Sequence, residues 1–302
     1  MRAPRALIPL LAVLGAAAVV VTAGAGAAIE RNTDTASPAL ADAAEDVPRA
    51  TVNAMTWNVC GDTGCPLGTL PAELAGQISQ QMTANEVGGR QVTMNAVFLQ
   101  EVCSGHIDTL RSVDWLRSWS WAFAPMRTAG AERTCANGQG RYGVAVGTAS
   151  PLSDVQKTEL PSPAQYGRSV VCGSVAAWQT RLCSVQLSSA QPDDDPSGEW
   201  RGKQIGELTE LAVESRVIIG GDFTEQPHAP ALDPLYRDFA ECDQGPGESR
   251  TGALTQQAAN GATVAKTDYL FISKTAGASC GVSKAPTAAS DHRPLAAAVR
   301  FH

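Results

Sequence analysis

Eight runs of seven to ten residues punctuate the chain from residue 50 to its end: ATVNAMTWNV, AVFLQEV, YGVAVGT, SVVCGSVAAW, TRLCSVQL, RVIIGGDF, KTDYLFIS and PLAAAVRF. All are dense in Val, Ile, Leu, Ala and aromatic residues, the signature of half-buried or fully buried strands. Only three stretches with helical spacing lie among them, at 70–85, 106–117 and 200–215. In the last, Ile205, Leu208, Leu211 and Ala212 share one face. Many strands with few helices favour an α+β fold, two packed sheets with helices outside, over a doubly wound sheet.

Acids or amides sit at the tips of five of these runs: Asn58, Glu101, Asp222, Asp268, and Asp291 with His292 just before the last strand. One acid at a strand end reads as a solvated turn. Five on separate segments point to a common pole. Carboxylates brought together there repel, and a hard divalent cation makes the cluster tolerable: Mg²⁺ first, with Mn²⁺ or Ca²⁺ as alternatives. His292 bonded to Asp268 would be fixed in one tautomer and raised in pKa. Gly220 and Gly221 are expected to leave room beside Asp222 for metal and substrate.

TWNV, LQEV, GGDFTEQP, TDYLFIS and SDHRP, in that order, resemble the endonuclease/exonuclease/phosphatase superfamily, the group of DNase I, abasic-site endonucleases, neutral sphingomyelinases and inositol-polyphosphate 5-phosphatases. The resemblance runs from about Thr51 to the C-terminus. It implies a DNase I-like, four-layered αββα sandwich with its site at one end of the sheets. It also implies roles. Glu101 would be the principal metal ligand, with Asn58 and Asp291 completing the cage. Asp222 would orient or deprotonate the attacking water. His292, paired with Asp268, would stabilise charge on the phosphate oxygens or act as the acid–base group.

Two positions depart from the family pattern. Thr224 stands where GDFN or GDLN carries Asn, and Gln186, in CSVQL, stands where the family usually carries His. Gln can hold a phosphate oxygen or leaving group but donates no proton at neutral pH. His106, Arg141 and Tyr142 fall where some relatives contact substrate, so they are candidate substrate-binding residues. Arg201 and Gln204, in step on the third helix, read as packing, and Asp193–Asp195 as a solvated loop. The aromatic cluster at 114–123, with Trp115, Trp119, Trp121 and Phe123, has the alternation of a half-buried strand.

The expected activity is a metal-dependent phosphodiesterase acting on DNA or RNA. A phospholipid head-group phosphodiesterase and a catalytically weakened phosphate-binding protein are the alternatives. The partner is nucleic acid or another phosphodiester, and the chain is expected to be a monomer without stable membrane insertion. Residues 1–27 have a signal-peptide layout: Arg2 and Arg5, an apolar stretch, then small residues at the cleavage site. Residues 28–49 read as a disordered linker and 50–302 as one domain. Losing two arginines with the leader takes the net charge from −7 to −9, which argues against tight, purely electrostatic nucleic-acid binding. Eight cysteines fit export to an oxidising compartment. Cys172 and Cys183 suit a cross-strand bond and Cys60 with Cys65 a small loop, leaving Cys103–Cys135 and Cys242–Cys280 as the simplest remainder. No CxxC or paired Cys/His spacing supports a zinc site.

Overall fold

Two six-stranded mixed sheets face each other in the computed structural model, which describes residues 49–245 and 249–302. The signal-peptide stretch and all of the linker except Arg49 lie outside the described residues. In chain order the main strands are β1 (Ala50–Asn58), β2 (Ala96–Cys103), β3 (Ser120–Pro125), β4 (Tyr142–Thr148), β5 (Ser153–Leu160), β6 (Arg168–Val175), β7 (Thr180–Gln186), β8 (Val217–Asp222), β9 (Phe239–Glu241), β10 (Asp268–Ser273), β11 (Gly277–Val282) and β12 (Leu295–Phe301). The first sheet runs β11-β12-β1-β2-β4-β3 and the second β9-β10-β8-β7-β6-β5. Helices α1 (Pro71–Ala84) and α2 (Ser104–Ser112) cover the first sheet, and α3 (Glu199–Leu211) and α4 (Asp233–Asp238) the second.

Strand periodicity builds the layers, because alternate side chains point to opposite faces. Val52, Ala54 and Phe98 from the first sheet meet Val171, Leu182, Ile218 and Leu270 from the second in the central core. Their neighbours Met55, Trp57, Val97 and Leu99 turn outward onto Leu74, Ile78 and Met82 of α1 and Ile107 and Leu110 of α2. On the other side Val185, Val217, Ile219 and Phe271 pack on Ile205 and Leu208 of α3. This is the αββα sandwich.

The two central pairs, β1 with β2 and β7 with β8, are parallel, while β10 lies antiparallel to β8. Parallel neighbours end at the same pole. The register sets Asn58 opposite Gln100, Gln186 opposite Asp222, and Asp222 opposite Asp268. Topology alone therefore gathers the tips.

Gly220 and Gly221 do not make space for ligands. A Cβ on Gly220 would come within 2.5 Å of the Phe98 ring of the other sheet, and one on Gly221 within 2.4 Å of the Val185 carbonyl. The glycines let the two sheets and two neighbouring strands close up. Among the aromatic cluster, Trp115 and Trp119 meet edge-on and Trp119 stacks with Trp121, all packed on the core beneath α1 and α2. All four disulfides pair as the sequence suggested, Cys172 and Cys183 in direct cross-strand register. Among the described residues, no helix is long and apolar enough to cross a membrane.

Candidate active site

Glu101 interrupts its own strand. The pairing of β2 with β4 slips between Leu99 and Val102, and Glu101 sits at φ 54°, in the left-handed region. A bulge of this kind re-aims a side chain, and a non-glycine residue held at positive φ is a strained position that surrounding structure must maintain. The carboxylate it projects is met by two amides. Asn58 Nδ2 donates to Glu101 Oε1 at 3.0 Å and to Asp222 Oδ2 at 3.0 Å. Gln186 Nε2 donates to the same Glu101 oxygen at 2.8 Å and lies 3.5 Å from Asp222 Oδ2.

His292 stands on the other side of this group. Its Nδ1 is 2.7 Å from Asp268 Oδ2, leaving Nε2 for the cleft. The loop carrying it is latched from below: Trp57 Nε1 donates to the His292 carbonyl at 2.8 Å, and Ser290 Oγ to the Asn58 carbonyl at 2.7 Å. Burial pulls the imidazole pKa down, but the Asp268 charge and hydrogen bond, with Asp222 and Asp291 nearby, outweigh it and push the group up to about 10. Asp222 moves up to about 7, first through burial and then through Asp268, while His292 and Asn58 oppose the shift. Oxygens of Asp222 and Asp268 and a ring nitrogen of His292 all lie within 4.8 Å of one another.

A cleft of about 430 Å³ opens over these groups, lined by Glu101, Gln186, Asp222, Thr224, Asp291 and His292. Thr224 donates its amide to Asp222 Oδ1 at 3.0 Å and its hydroxyl to the Ser188 carbonyl, at φ 53°. Asn accepts that conformation more easily than β-branched Thr, so the departure from the family pattern carries a backbone cost. Asp291 is exposed at the rim.

Two of the three expected substrate contacts are corrected. His106 is fully buried, and its Nδ1 accepts the Cys103 amide at 3.2 Å, capping α2. Burial lowers it to about 4, so it is a neutral structural group. Arg141 does not line the cleft; it pairs with Glu132 at 3.0 Å and donates to Thr134 at 2.8 Å. Tyr142 does line it, buried beside Glu101 and under the Arg133 guanidinium, 3.6 Å above its ring.

The sequence missed the opposite wall, formed by Arg133, Tyr166 and Arg168. Arg168 is held by Asp194 at 2.6 Å, yet its Nε is buried without a partner. Asp194 and Asp195 are buried and anchor this wall through Arg168 and Arg201, so of the acidic run only Asp193 is solvated. Arg201 and Gln204 pack as expected, Gln204 holding the Ser188 amide at 2.9 Å.

The donor set fits a hard divalent ion. Glu101, Asp222 and Asp291 have no basic side chain in ion-pair contact among the described residues, and Asp268 Oδ1 and Gln186 Oε1 are buried without partners. Carboxylates gathered at one pole repel one another, and a hard divalent ion bound among them offsets that repulsion.

The sequence profile described as "Endonuclease/Exonuclease/phosphatase family" matches residues 55–292. The chain belongs to this family. Its members include nucleases, phosphodiesterases and phosphatases, and they are typically dependent on divalent metals. Solved structures share the fold at low identity. The human Nocturnin catalytic domain with bound sulfate is 14% identical, with a TM-score of 0.59, over 83% of this chain and 94% of that one. A Bacteroides thetaiotaomicron mannosyl-6-phosphatase is 13% identical, at 0.59, over 83% and 100%. D. rerio TDP2 complexed with a single-strand DNA product is 15% identical, at 0.57, over 84% and 100%. No curated protein matches the sequence.

Proposed function

We propose that the protein is a secreted, Mg²⁺-dependent phosphodiesterase that cleaves nucleic acid. The observation that carries this reading is the placement of the His292–Asp268 pair and Asp222 across one cleft from the Arg133–Arg168 wall, with Glu101 between amides at its floor. A phosphodiester lying there has its charge met from two sides. Glu101, Asn58 and Asp291 would hold the ion, which supplies Lewis-acid polarisation of a phosphoryl oxygen when bound. Asp222, raised by its buried setting, takes a proton from the attacking water once it is ionised. His292 remains an imidazolium at neutral pH and donates from Nε2 to the phosphate oxygens as charge develops. Asp268 fixes the ring's orientation. The guanidiniums of Arg133 and Arg168 orient a flanking phosphate.

Packing of Trp115, Trp119 and Trp121 into the core argues against a membrane-inserting hairpin, and so against the lipid substrate. A slow, phosphate-binding member of the fold is the second reading. It is favoured by Gln186, whose amide cannot release a proton at the position it occupies beside Asp222.

The deciding assay offers the mature chain plasmid DNA, RNA, bis-p-nitrophenyl phosphate and sphingomyelin, with Mg²⁺ or Mn²⁺ and with EDTA. Metal-dependent nicking that vanishes in Glu101→Ala and His292→Ala supports the nuclease. Turnover of sphingomyelin alone transfers the assignment to lipid. Divalent-ion binding without turnover supports the weakened protein.

A further inference from the structure

The Cys60–Cys65 disulfide takes no part in the chemistry above, yet it lies against Glu101. Both sulfurs and a Glu101 carboxylate oxygen fall within 4.8 Å of one another, and all three residues are partly exposed. Its sequence separation of 5 is the shortest of the four disulfides, so this bond constrains the unfolded chain least. Cys103–Cys135 and Cys172–Cys183 are buried. An external dithiol therefore reaches Cys60–Cys65 ahead of those two.

Cleaving the bond would not by itself release the loop. The Cys60 amide donates to Asn58 Oδ1 at 3.1 Å, and the Gly61 amide to the Glu101 carbonyl at 2.7 Å. At the far end the Cys65 amide donates to the Asp62 carbonyl at 3.3 Å. These bonds keep both sulfur positions beside the carboxylate. Four residues separate the cysteines, wider than a CxxC pair but at the upper end of the spacing at which thiolate pairs bind zinc. The sequence alone hides the third ligand, because Glu101 arrives from another strand.

We propose that reduction of Cys60–Cys65 turns this corner into a zinc site, with two thiolates and Glu101 as ligands and water in the fourth position. The dithiol gives two electrons to the S–S bond and closes to its own disulfide, leaving two cysteine thiols. Zinc then displaces their two protons. Thiolates select zinc over the hard ion. Zinc binding stands without the proposed function. Its consequence for activity rests on that reading: Glu101 would be withdrawn from the hard ion, and the zinc-loaded protein would be inactive.

The experiment treats the full secreted chain with dithiothreitol under native conditions, maps free thiols by alkylation and mass spectrometry, and counts metal retained after Zn²⁺ or Co²⁺ loading and desalting. The expected result is one zinc per chain when residues 60 and 65 are free thiols, with a cobalt–thiolate charge-transfer band, and none in the oxidised chain. Zinc is lost in Cys60→Ser/Cys65→Ser, weakened at least tenfold in Glu101→Gln, and kept in Cys242→Ser/Cys280→Ser, which removes the other partly exposed pair. Three results overturn the proposal: no zinc on a folded chain with both thiols free, zinc retained by the Cys60→Ser/Cys65→Ser chain, or a Cys60–Cys65 bond that stays closed while the others open. Near-ultraviolet circular dichroism checks folding in each case. If no form turns over any substrate, the phosphodiesterase reading fails while the metal count still decides the zinc site.

Discussion

The imidazole Nδ1 of His292 stands 2.7 Å from Asp268 Oδ2, and both side chains are shielded from solvent. The carboxylate therefore fixes which ring nitrogen faces the cleft and holds the ring charged up to about pH 10. A histidine with a raised pKa is in its cationic form below that value and loses it above. Asp268→Asn keeps a hydrogen-bond acceptor but removes the charge. The expected outcome is a fall in kcat of about 10²-fold or more, with the alkaline limb of the pH profile moved downward. NMR titration of the His292 ring would show the same shift. An unchanged limb with lowered kcat would limit Asp268 to holding the ring in place.

Gly220→Ala tests what the glycine is for. Its Cβ would press on the Phe98 ring at 2.5 Å, in the middle of the sandwich. Overpacking of this kind costs about 1–3 kcal/mol, readable as a lower urea midpoint with an unchanged slope. Phe98→Leu in the same chain should recover part of the loss, giving a coupled double-mutant cycle. Metal affinity of the folded fraction should not change; a large change would return Gly220 to the site.

His106 gives the stability its acid limb. Burial lowers its pKa to about 4, from the 6.5 ordinary for a solvated histidine. As pH falls between those values the unfolded chain takes up a proton that the folded chain refuses. The stabilisation is thus present above about pH 6.5 and is lost as pH drops toward 4. His106→Gln can keep the bond back to the Cys103 amide, as Gln does at this helix position, without titrating. Denaturation should give near-equal stabilities at pH 8 and an advantage for the variant on the order of 1–2 kcal/mol at pH 5.

The strand tips were legible because parallel register does the gathering. Asn58, Glu101 and Asp222 close parallel strands, so runs of apolar residues followed by a polar one already located them, whereas Gln186 was located only by its departure from the family pattern. Strand β5 was not legible: SDVQKTEL forms an exposed edge whose polar residues carry little periodicity. The cleft wall was hidden for another reason. Arg133, Tyr166 and Arg168 come from irregular segments or a strand start, and what aims them is the Tyr142 ring, Asp193 and the buried Asp194 respectively, contacts that no local pattern encodes. His106 looked like a substrate contact, yet its position three residues after Cys103 makes it the cap.

Gln186 is where chemistry and sequence pattern disagree most, and the leaving group can resolve the disagreement. Its amide donates to Glu101 Oε1 at 2.8 Å and approaches Asp222 Oδ2 at 3.5 Å, so it restrains both carboxylates. An alkoxide leaving from a nucleic-acid phosphodiester needs a proton, which the amide cannot give; p-nitrophenolate needs none. If proton donation is what the position lacks, Gln186→His should raise turnover of DNA by about 10-fold or more while leaving bis-p-nitrophenyl phosphate almost unchanged. Equal gains on both substrates would mean that the new ring acts by repositioning Glu101 and Asp222. A loss on both would mean that the amide's hold on Glu101 is worth more than a proton donor, and Gln186→Ala should then be at least as slow. Steady-state rates on the two substrates for the three chains separate these cases, because only a proton donor distinguishes the leaving groups.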